Sequence, residues 1–355
     1  MNALKPGKVA LLGSGETTHS GGQLFEALAQ GQPRPVRVSV LETPAGYELN
    51  SDRVAGRVAD FIRQRLQNYQ PEVTVVPARK RGTPQSPENP SVNEVLLHSH
   101  LIYMGAGSPT YAVRQLRDSL AWDWVQARHR LGADVILTSA ATLAVSAFSL
   151  PVYEIYKVGE DPHWKRGLDF FRPFGLNLVV VPHWNNRDGG DELDTSHCFM
   201  GAERFAALKT RLPADSTILG VDERTAVILD LSEGTAQVMG AGGVTLGRGG
   251  AEQRFENGSR WPLSLLGAFQ PLTEGGRGLR AESWERALRA LEEDRAAAGQ
   301  VRQAPEVVLR LAAERQQARE LRDWAEADRL RGEIQGMGWQ VMDTPEGPRL
   351  EALEK

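Results

Sequence analysis

The sequence predicts an α/β protein: a mostly parallel sheet flanked by helices on both faces, followed by a small helical C-terminal module. Three observations carry this expectation. Short, nearly continuous apolar runs alternate with segments of helical spacing as far as Leu246. Several of those runs stop at a turn containing Gly or Ser that opens the next helix. Beyond Pro271 the composition turns to Ala, Glu and Arg with a helical period.

A length of 355 residues suits one large domain with an appendage. The expected division is a main domain over residues 1–271, a linker over 272–278 and the helical module over 279–355. A net charge of -4 and a pI near 6.0 leave no general basic field for nucleic acid or an anionic membrane. The single cysteine, Cys198, excludes an internal disulfide and fits a reducing compartment. The apolar runs are strand-sized and no signal-type segment opens the chain, so a cytoplasmic protein without membrane contact is expected. No metal and no cofactor is implied.

In chain order, residues 8–12 read as a buried strand ending at Gly13-Ser14-Gly15-Glu16, with a helix over about 23–29. The glycines lack the further spacing of a dinucleotide fingerprint. Residues 36–41 and 73–76 are strands around a helix in 52–69, where Val54, Val58, Phe61, Ile62 and Leu66 fall on one face. A Pro-rich loop covers 79–90, and residues 101–104 form a fourth strand. Gly105-Ala106-Gly107-Ser108-Pro109-Thr110 then opens a helix. Such a loop either offers backbone amides to an oxyanion or is an ordinary turn with Pro at the first helical position.

The segment 133–148 is the centre of the reading. Its strand ends at Thr138-Ser139 and a small-residue helix begins at once. Ser139 is either a helix N-cap or a nucleophile held above the carboxyl end of a parallel sheet. Residues 176–181 form another strand, running into Pro182-His183-Trp184-Asn185-Asn186. His183 is expected in the same sheet as Ser139, where a general base belongs, or else is a packed histidine. An acidic loop over 188–194 precedes a helix over about 197–208, which Asp194 or Ser196 can cap. The strand 217–221 leads to Asp222-Glu223-Arg224-Thr225, whose carboxylates either orient a histidine or serve the turn. Residues 236–239 and 244–246 suggest antiparallel strands at the sheet edge.

With those residues in place, the region from about Lys8 to Leu246 resembles the cyanophycinase and aspartyl dipeptidase family of serine peptidases, which has a type 1 glutamine amidotransferase-like fold. Thr138-Ser139-Ala140 matches the centre of the family's nucleophile turn, Gly-x-Ser-Ala-Gly-Ala. Pro182-His183-Trp184 matches its histidine segment, and Gly220-Val221-Asp222-Glu223-Arg224-Thr225-Ala226 its Gly-(Ile/Val)-Asp-Glu-x-Thr-Ala segment. Gly105-Ala106-Gly107 corresponds to its oxyanion loop.

The resemblance implies a Ser139, His183, Glu223 triad with backbone amides of Gly105, Ala106 and Ala140 at the oxyanion, acting on an amide or peptide bond of a small peptide-like substrate. Leu137 and Ala141 stand where the family has glycines. Asn185, Asn186, Asp188 and Asp191 replace its basic residues after the histidine, leaving Arg187. Gly15, Glu16, Asn185, Asn186 and Arg187 are the expected substrate contacts, with an acidic rim suited to a cationic or neutral ligand. A homodimer is compatible with this reading.

In the tail, Trp284, Leu288 and Leu291 share one helix face. After a break near 299–305, one helix is expected to about Gln335, with Leu321, Trp324, Ala327, Leu330 and Ile334 as its buried stripe. Residues 315–349, from Arg315 through Asp323-Trp324, Ala327-Asp328 and Gly338 to the turn at Gly347, resemble the extreme C-terminal module of cysteinyl-tRNA synthetases. The synthetase's ATP and zinc motifs do not occur, so aminoacylation is not implied. A weak tRNA or synthetase contact through the tail is, because its arginines alternate with carboxylates. Two alternatives to the hydrolase remain: a catalytically silent ligand-binding domain, favoured by Leu137 and Ala141, and a translation-linked interaction protein, favoured by the tail.

Overall fold

The computed structural model describes residues 5–299, 304–344 and 347–353. The chain forms two compact units, residues 1–292 and 293–355. In the first unit the order begins β1 (Lys8–Leu12), α1 (His19–Ala29), β2 (Arg37–Leu41), α2 (Ser51–Arg65), β3 (Glu72–Val76), α3 (Pro90–Asn93) and β4 (Leu101–Met104). It continues with α4 (Pro109–Leu116), α5 (Leu120–Arg130), β5 (Asp134–Thr138), α6 (Ala140–Val145), and the short strands β6 (Phe148–Ser149) and β7 (Lys165–Arg166). Then come β8 (Leu178–Val181), α7 (Ser196–Phe199), α8 (Gly201–Lys209), β9 (Thr217–Val221), β10 (Thr225–Asp230), β11 (Thr235–Gly240), β12 (Val244–Arg248), β13 (Ala251–Phe255) and β14 (Arg260–Pro262).

The strands make two main sheets. The larger has eight strands in the order β14-β11-β10-β1-β5-β4-β2-β3, and the smaller has four, β13-β12-β9-β8. From β1 through β3 every pairing is parallel, whereas β10, β11 and β14 are added antiparallel. The sheet is thus mixed, with its parallel half carrying the turns of interest. Alternation along the strands explains why both faces are covered. Val9 and Leu11 of β1 enter one apolar cluster, and Ala10 and Leu12 enter another. Helices α1 and α2 cover the second face through Leu24, Phe25, Leu28, Val58 and Ile62. On the first face Trp122, Trp124 and Val125 of α5 pack together with Leu178, Val180, Leu219 and Val221, so the smaller sheet shares that core.

Two boundaries differ from the sequence reading. Residues 272–278 are strapped down rather than free: Leu272 is buried in the core, and Arg130 donates from Nη1 to the carbonyls of Gly275 and Arg277, both at 2.7 Å. Helix α9 (Ala281–Gly299) starts on the main unit, burying Ala287 and Ala290 with Trp284 packed alongside, while Leu288 is exposed. The division therefore falls at 292/293, inside a helix, and not in the Gly-rich stretch.

The second unit contains α10 (Glu306–Glu320), α11 (Trp324–Gly336), β15 (Trp339–Thr344) and β16 (Gly347–Ala352), the two strands forming an antiparallel hairpin. Where one helix was expected there are two. Arg322 adopts a left-handed φ of 60°, and Asp323 caps α11 by accepting from the Glu326 amide. Val308, Leu311, Leu330, Ile334, Trp339 and Val341 form its core. Leu321 and Trp324 are 75% and 57% exposed, because the interhelix turn points them away from that core. Most of the expected break at 299–305, and Pro345 and Glu346 of the final turn, lie outside the described residues.

Candidate active site

Ser139 follows β5 with φ 52° and ψ −116°, a conformation that L-residues avoid. An N-cap residue adopts extended dihedrals and accepts an amide from the helix with its side chain, and Ser139 does neither. Its Oγ instead lies 2.9 Å from His183 Nε2. On the other side of the ring, Nδ1 is 2.9 Å from Glu223 Oε1. A carboxylate accepts, so Nδ1 carries the ring proton and Nε2 is left to accept from the serine hydroxyl.

The three side chains come from both sheets. β5 lies in the large sheet, but β8, which delivers His183, belongs to the small one, contrary to the expectation of a shared sheet. The turn Asp222-Glu223-Arg224 joins β9 of the small sheet to β10 of the large sheet, and so carries Glu223 across the seam between them. Within the turn the carboxylates divide their work. Asp222 is buried and binds the Gly243 amide at 2.9 Å and Arg254 Nη2 at 2.6 Å, while Glu223 faces the histidine.

Backbone strain concentrates around this seam. His183 and Arg224 also have positive φ, 49° and 54°, as do His197, Cys198 and Phe199 of α7. Each such residue costs on the order of 1–3 kcal/mol and persists only where the surroundings enforce it. Here the Cys198 amide donates to the His183 carbonyl at 3.1 Å and the His197 amide to Trp184 at 2.9 Å. Trp184 lies against Gly220, where any Cβ would be driven into the indole ring, so the Gly of the Gly-Val-Asp-Glu segment is a packing requirement.

A cavity of about 220 Å³ opens at Ser139 and His183 and is walled by Ala140, Leu143, Val152, Tyr153, Tyr156, Lys157, Cys198 and Phe199. A larger concavity, about 650 Å³ and lined in part by Trp122 and Arg130, shares no residue with it. Cys198 is buried, and burial together with the charge of Glu223 pushes its thiol up to about 12, so it stays an unionised wall of the cavity. Among the described residues no group of three His, Cys, Asp or Glu side chains is arranged to hold a metal ion.

Of the three expected oxyanion positions, Ala140 lines the cavity, and the turn after β4 reaches it through Gly107 rather than Gly105 or Ala106. Gly105 is drawn back against the Tyr103 ring. Gly107 adopts φ 142° at a place where a Cβ would overlap the Pro44 carbonyl, so the close approach of the two chain segments there requires glycine. Leu137 and Ala141 are fully buried in the core and do not line the cavity.

None of the five expected substrate contacts lines the cavity. Asn186 is buried and donates Nδ2 to Glu223 Oε1 at 2.9 Å, holding the carboxylate, and Asn185 Oδ1 accepts the Glu223 backbone amide at 2.8 Å, holding the turn that carries it. Gly15 shapes the turn after β1, and Glu16 lies near the buried Tyr103 hydroxyl, whose pKa is raised by burial and then by that charge. Arg187 is exposed on the loop. The rim is not acidic either: Asp194 accepts the Ser196 and Ala202 amides, and the charged wall residue is Lys157. Sequence reasoning missed Tyr153, Tyr156 and Lys157, which sit in the aperiodic stretch between β6 and β7.

A solved structure of a peptidase from an acI-B1 Actinobacterium is similar over 73% of this chain and 98% of its own, with a TM-score of 0.59 and 22% identity. The main unit has that peptidase's fold. The C-terminal region is similar to cysteine–tRNA ligases: 54% identical over 46 residues to ligase 1 of Burkholderia lata, and 40% over 53 residues to that of Methanosarcina mazei. Those matches cover 13% and 15% of this chain, and the chain spans about a tenth of the length of these curated relatives. No family model matches the chain. No helix among the described residues is long and apolar enough to cross a membrane.

Proposed function

We propose that the main unit is a serine hydrolase that cleaves an amide or peptide bond. The observation that carries this reading is the relay of two 2.9 Å contacts, Ser139 Oγ to His183 Nε2 and His183 Nδ1 to Glu223 Oε1, set on a serine whose backbone strain serves no cap. In the reaction, Ser139 Oγ attacks the carbonyl carbon as its proton passes to His183 Nε2. Glu223 holds the imidazolium, and the amides of Ala140 and the turn at Gly107 receive the oxyanion. The carbon–nitrogen bond then breaks as His183 returns the proton to the leaving amine. Water, deprotonated by the same nitrogen, hydrolyses the acyl-serine. The burial of Leu137 and Ala141 in the core, away from the cavity, favours this over a silent binding domain.

The test is a fluorophosphonate probe followed by intact-mass measurement. A single adduct on Ser139, absent from Ser139→Ala and His183→Ala, is the expected result. A folded wild type that takes no adduct would return the unit to the ligand-binding reading.

A second reading concerns the C-terminal unit, where the likeness to cysteine–tRNA ligases favours a contact with tRNA or a synthetase. The charge pattern makes that contact weak: Arg315 and Arg319 pair with Asp343, Arg329 with Glu326 and Glu333, and Arg331 with Asp328. The compartment we infer is the cytoplasm, in keeping with a single buried cysteine.

A further inference from the structure

Tyr153 is a wall of the cavity at Ser139. The same ring walls a second concavity of about 530 Å³ that holds Tyr47, Tyr111, Arg114 and the Glu154–Lys165 ion pair. That concavity shares Thr110, Arg114 and Lys165 with a third of about 250 Å³, which adds Arg117 and Arg166. The three concavities thus adjoin one another, the first two at Tyr153 and the last two along Thr110, Arg114 and Lys165, and we refer to them together as a trough.

Its charge runs against that of the whole chain, which is net -4. Lys157, Arg114, Lys165, Arg117 and Arg166 line the trough, and Glu154 is the carboxylate among them. Glu154 is already engaged with Lys165 at 3.0 Å. The Lys157 ammonium lies 4.9 Å from the Tyr156 ring centre and the Arg114 guanidinium 5.1 Å from that of Tyr111, so aromatic faces hold both heads in place. Neither has a carboxylate partner among the described residues. Arg117 is anchored by the carbonyls of Arg166 and Gly167, which orient its charge without neutralising it.

Cations fixed in a groove beside low-dielectric walls attract and orient an anion. The walls also suit a peptide backbone, since Tyr47 and Tyr153 remain 48% and 42% exposed. At its inner end the trough meets a serine–histidine pair whose chemistry is acyl transfer, so a ligand must present an amide there and carboxylates further out. We propose that the Ser139 site continues into a cationic trough, past Tyr153 to Arg114 and Arg166, that receives an acidic peptide of several residues with Asp or Glu side chains paired to those cations. This rests on the serine-hydrolase reading for its chemistry, but its binding can be measured separately.

The experiment uses the full chain carrying Ser139→Ala and a fluorescent hexapeptide rich in Glu, with its Gln counterpart as control, read by anisotropy. The Glu peptide should bind about tenfold tighter at about 0.05 M salt, with the difference collapsing at about 0.5 M. Adding Arg114→Glu should weaken the Glu peptide about fivefold, and adding Glu154→Gln should tighten it about twofold. Opposite shifts from two neighbouring substitutions cannot both come from misfolding. Equal affinity for the Glu and Gln peptides would overturn the proposal. So would displacement of the peptide by a single-stranded oligonucleotide of equal charge at equal concentration. Because the variant lacks the nucleophile, a failed probe-labelling test leaves this result interpretable, and the converse also holds.

Discussion

His129 gives the sharpest quantitative test of the main unit. It lies on α5 with no solvent exposure, and its Nε2 is 2.8 Å from the Gly7 carbonyl, to which it donates. Phe170 and Phe174 pack edge-on against the ring. Burial lowers its pKa to about 3, with Arg130 adding to the effect and the Gly7 bond opposing it. In the unfolded chain the imidazole takes its proton near pH 6.5. Between these values the unfolded state binds more protons, so stability falls as pH drops through the window, by about 1.4 kcal/mol per unit and about 5 kcal/mol in all.

Asp134 acts in the opposite sense. Burial raises its pKa from 3.8 to about 6, so the native state holds a proton more readily, and stability rises by roughly 3 kcal/mol as pH falls through that range. Wild type alone will therefore show a muted slope, and the comparison must be with His129→Gln, whose amide can donate to Gly7 without titrating. At about pH 7 the variant should be less stable by about 1–2 kcal/mol from lost ring packing. At about pH 5 wild type should have lost about 2 kcal/mol relative to the variant, enough to cancel or reverse that lead. Urea unfolding followed by tryptophan fluorescence, to which Trp122 and Trp124 of the same helix contribute, measures both. A stability difference that stays constant across the two pH values would refute the claim that His129 is held neutral by burial.

Three further outcomes follow from the site and the tail. Asn186→Leu removes a hydrogen bond to the Glu223 carboxylate, a loss of about 1.5–3 kcal/mol that should slow probe labelling of Ser139 at least about tenfold; an unchanged labelling rate would show that Glu223 needs no such support. Gly220→Ala should destabilise the main unit by about 1–3 kcal/mol by displacing Trp184, read as a lower urea midpoint, and a wild-type midpoint would count against the packing argument. The full chain should bind tRNA with a shallow salt dependence, corresponding to about one or two neutralised phosphates, because most tail arginines are already paired. Trp324→Ala should weaken that binding, since the exposed ring offers a stacking face; a steep salt slope would reverse the electrostatic argument.

What the sequence determined by itself was local. Apolar runs and glycine turns marked the strands and their ligand-side ends, because strand burial and turn geometry are written in adjacent residues. The unusual environments of Ser139, His183 and Glu223 were legible as residue types at strand ends, and the resemblance supplied their pairing. Only the tertiary structure decided what those positions touch. His183 and Ser139 sit in different sheets, joined by a turn whose destination depends on which strand β10 pairs with. Asn186 turns inward to hold a carboxylate 37 residues away, and Asn185 holds the backbone of the same turn, so a pair that looked substrate-facing became support. Much of the cavity wall and part of the trough, Tyr153 to Arg166, came from an aperiodic stretch where no local pattern constrains direction, and the trough's charge emerged only when Lys157, Lys165 and Arg166 were gathered with Arg114 of α4 and Arg117 just beyond it. In the tail, a single left-handed residue at Arg322 split one amphipathic stripe into two helices and left Trp324 in solvent. Periodicity records which residues share a face, whereas the path of the backbone between elements decides what that face meets.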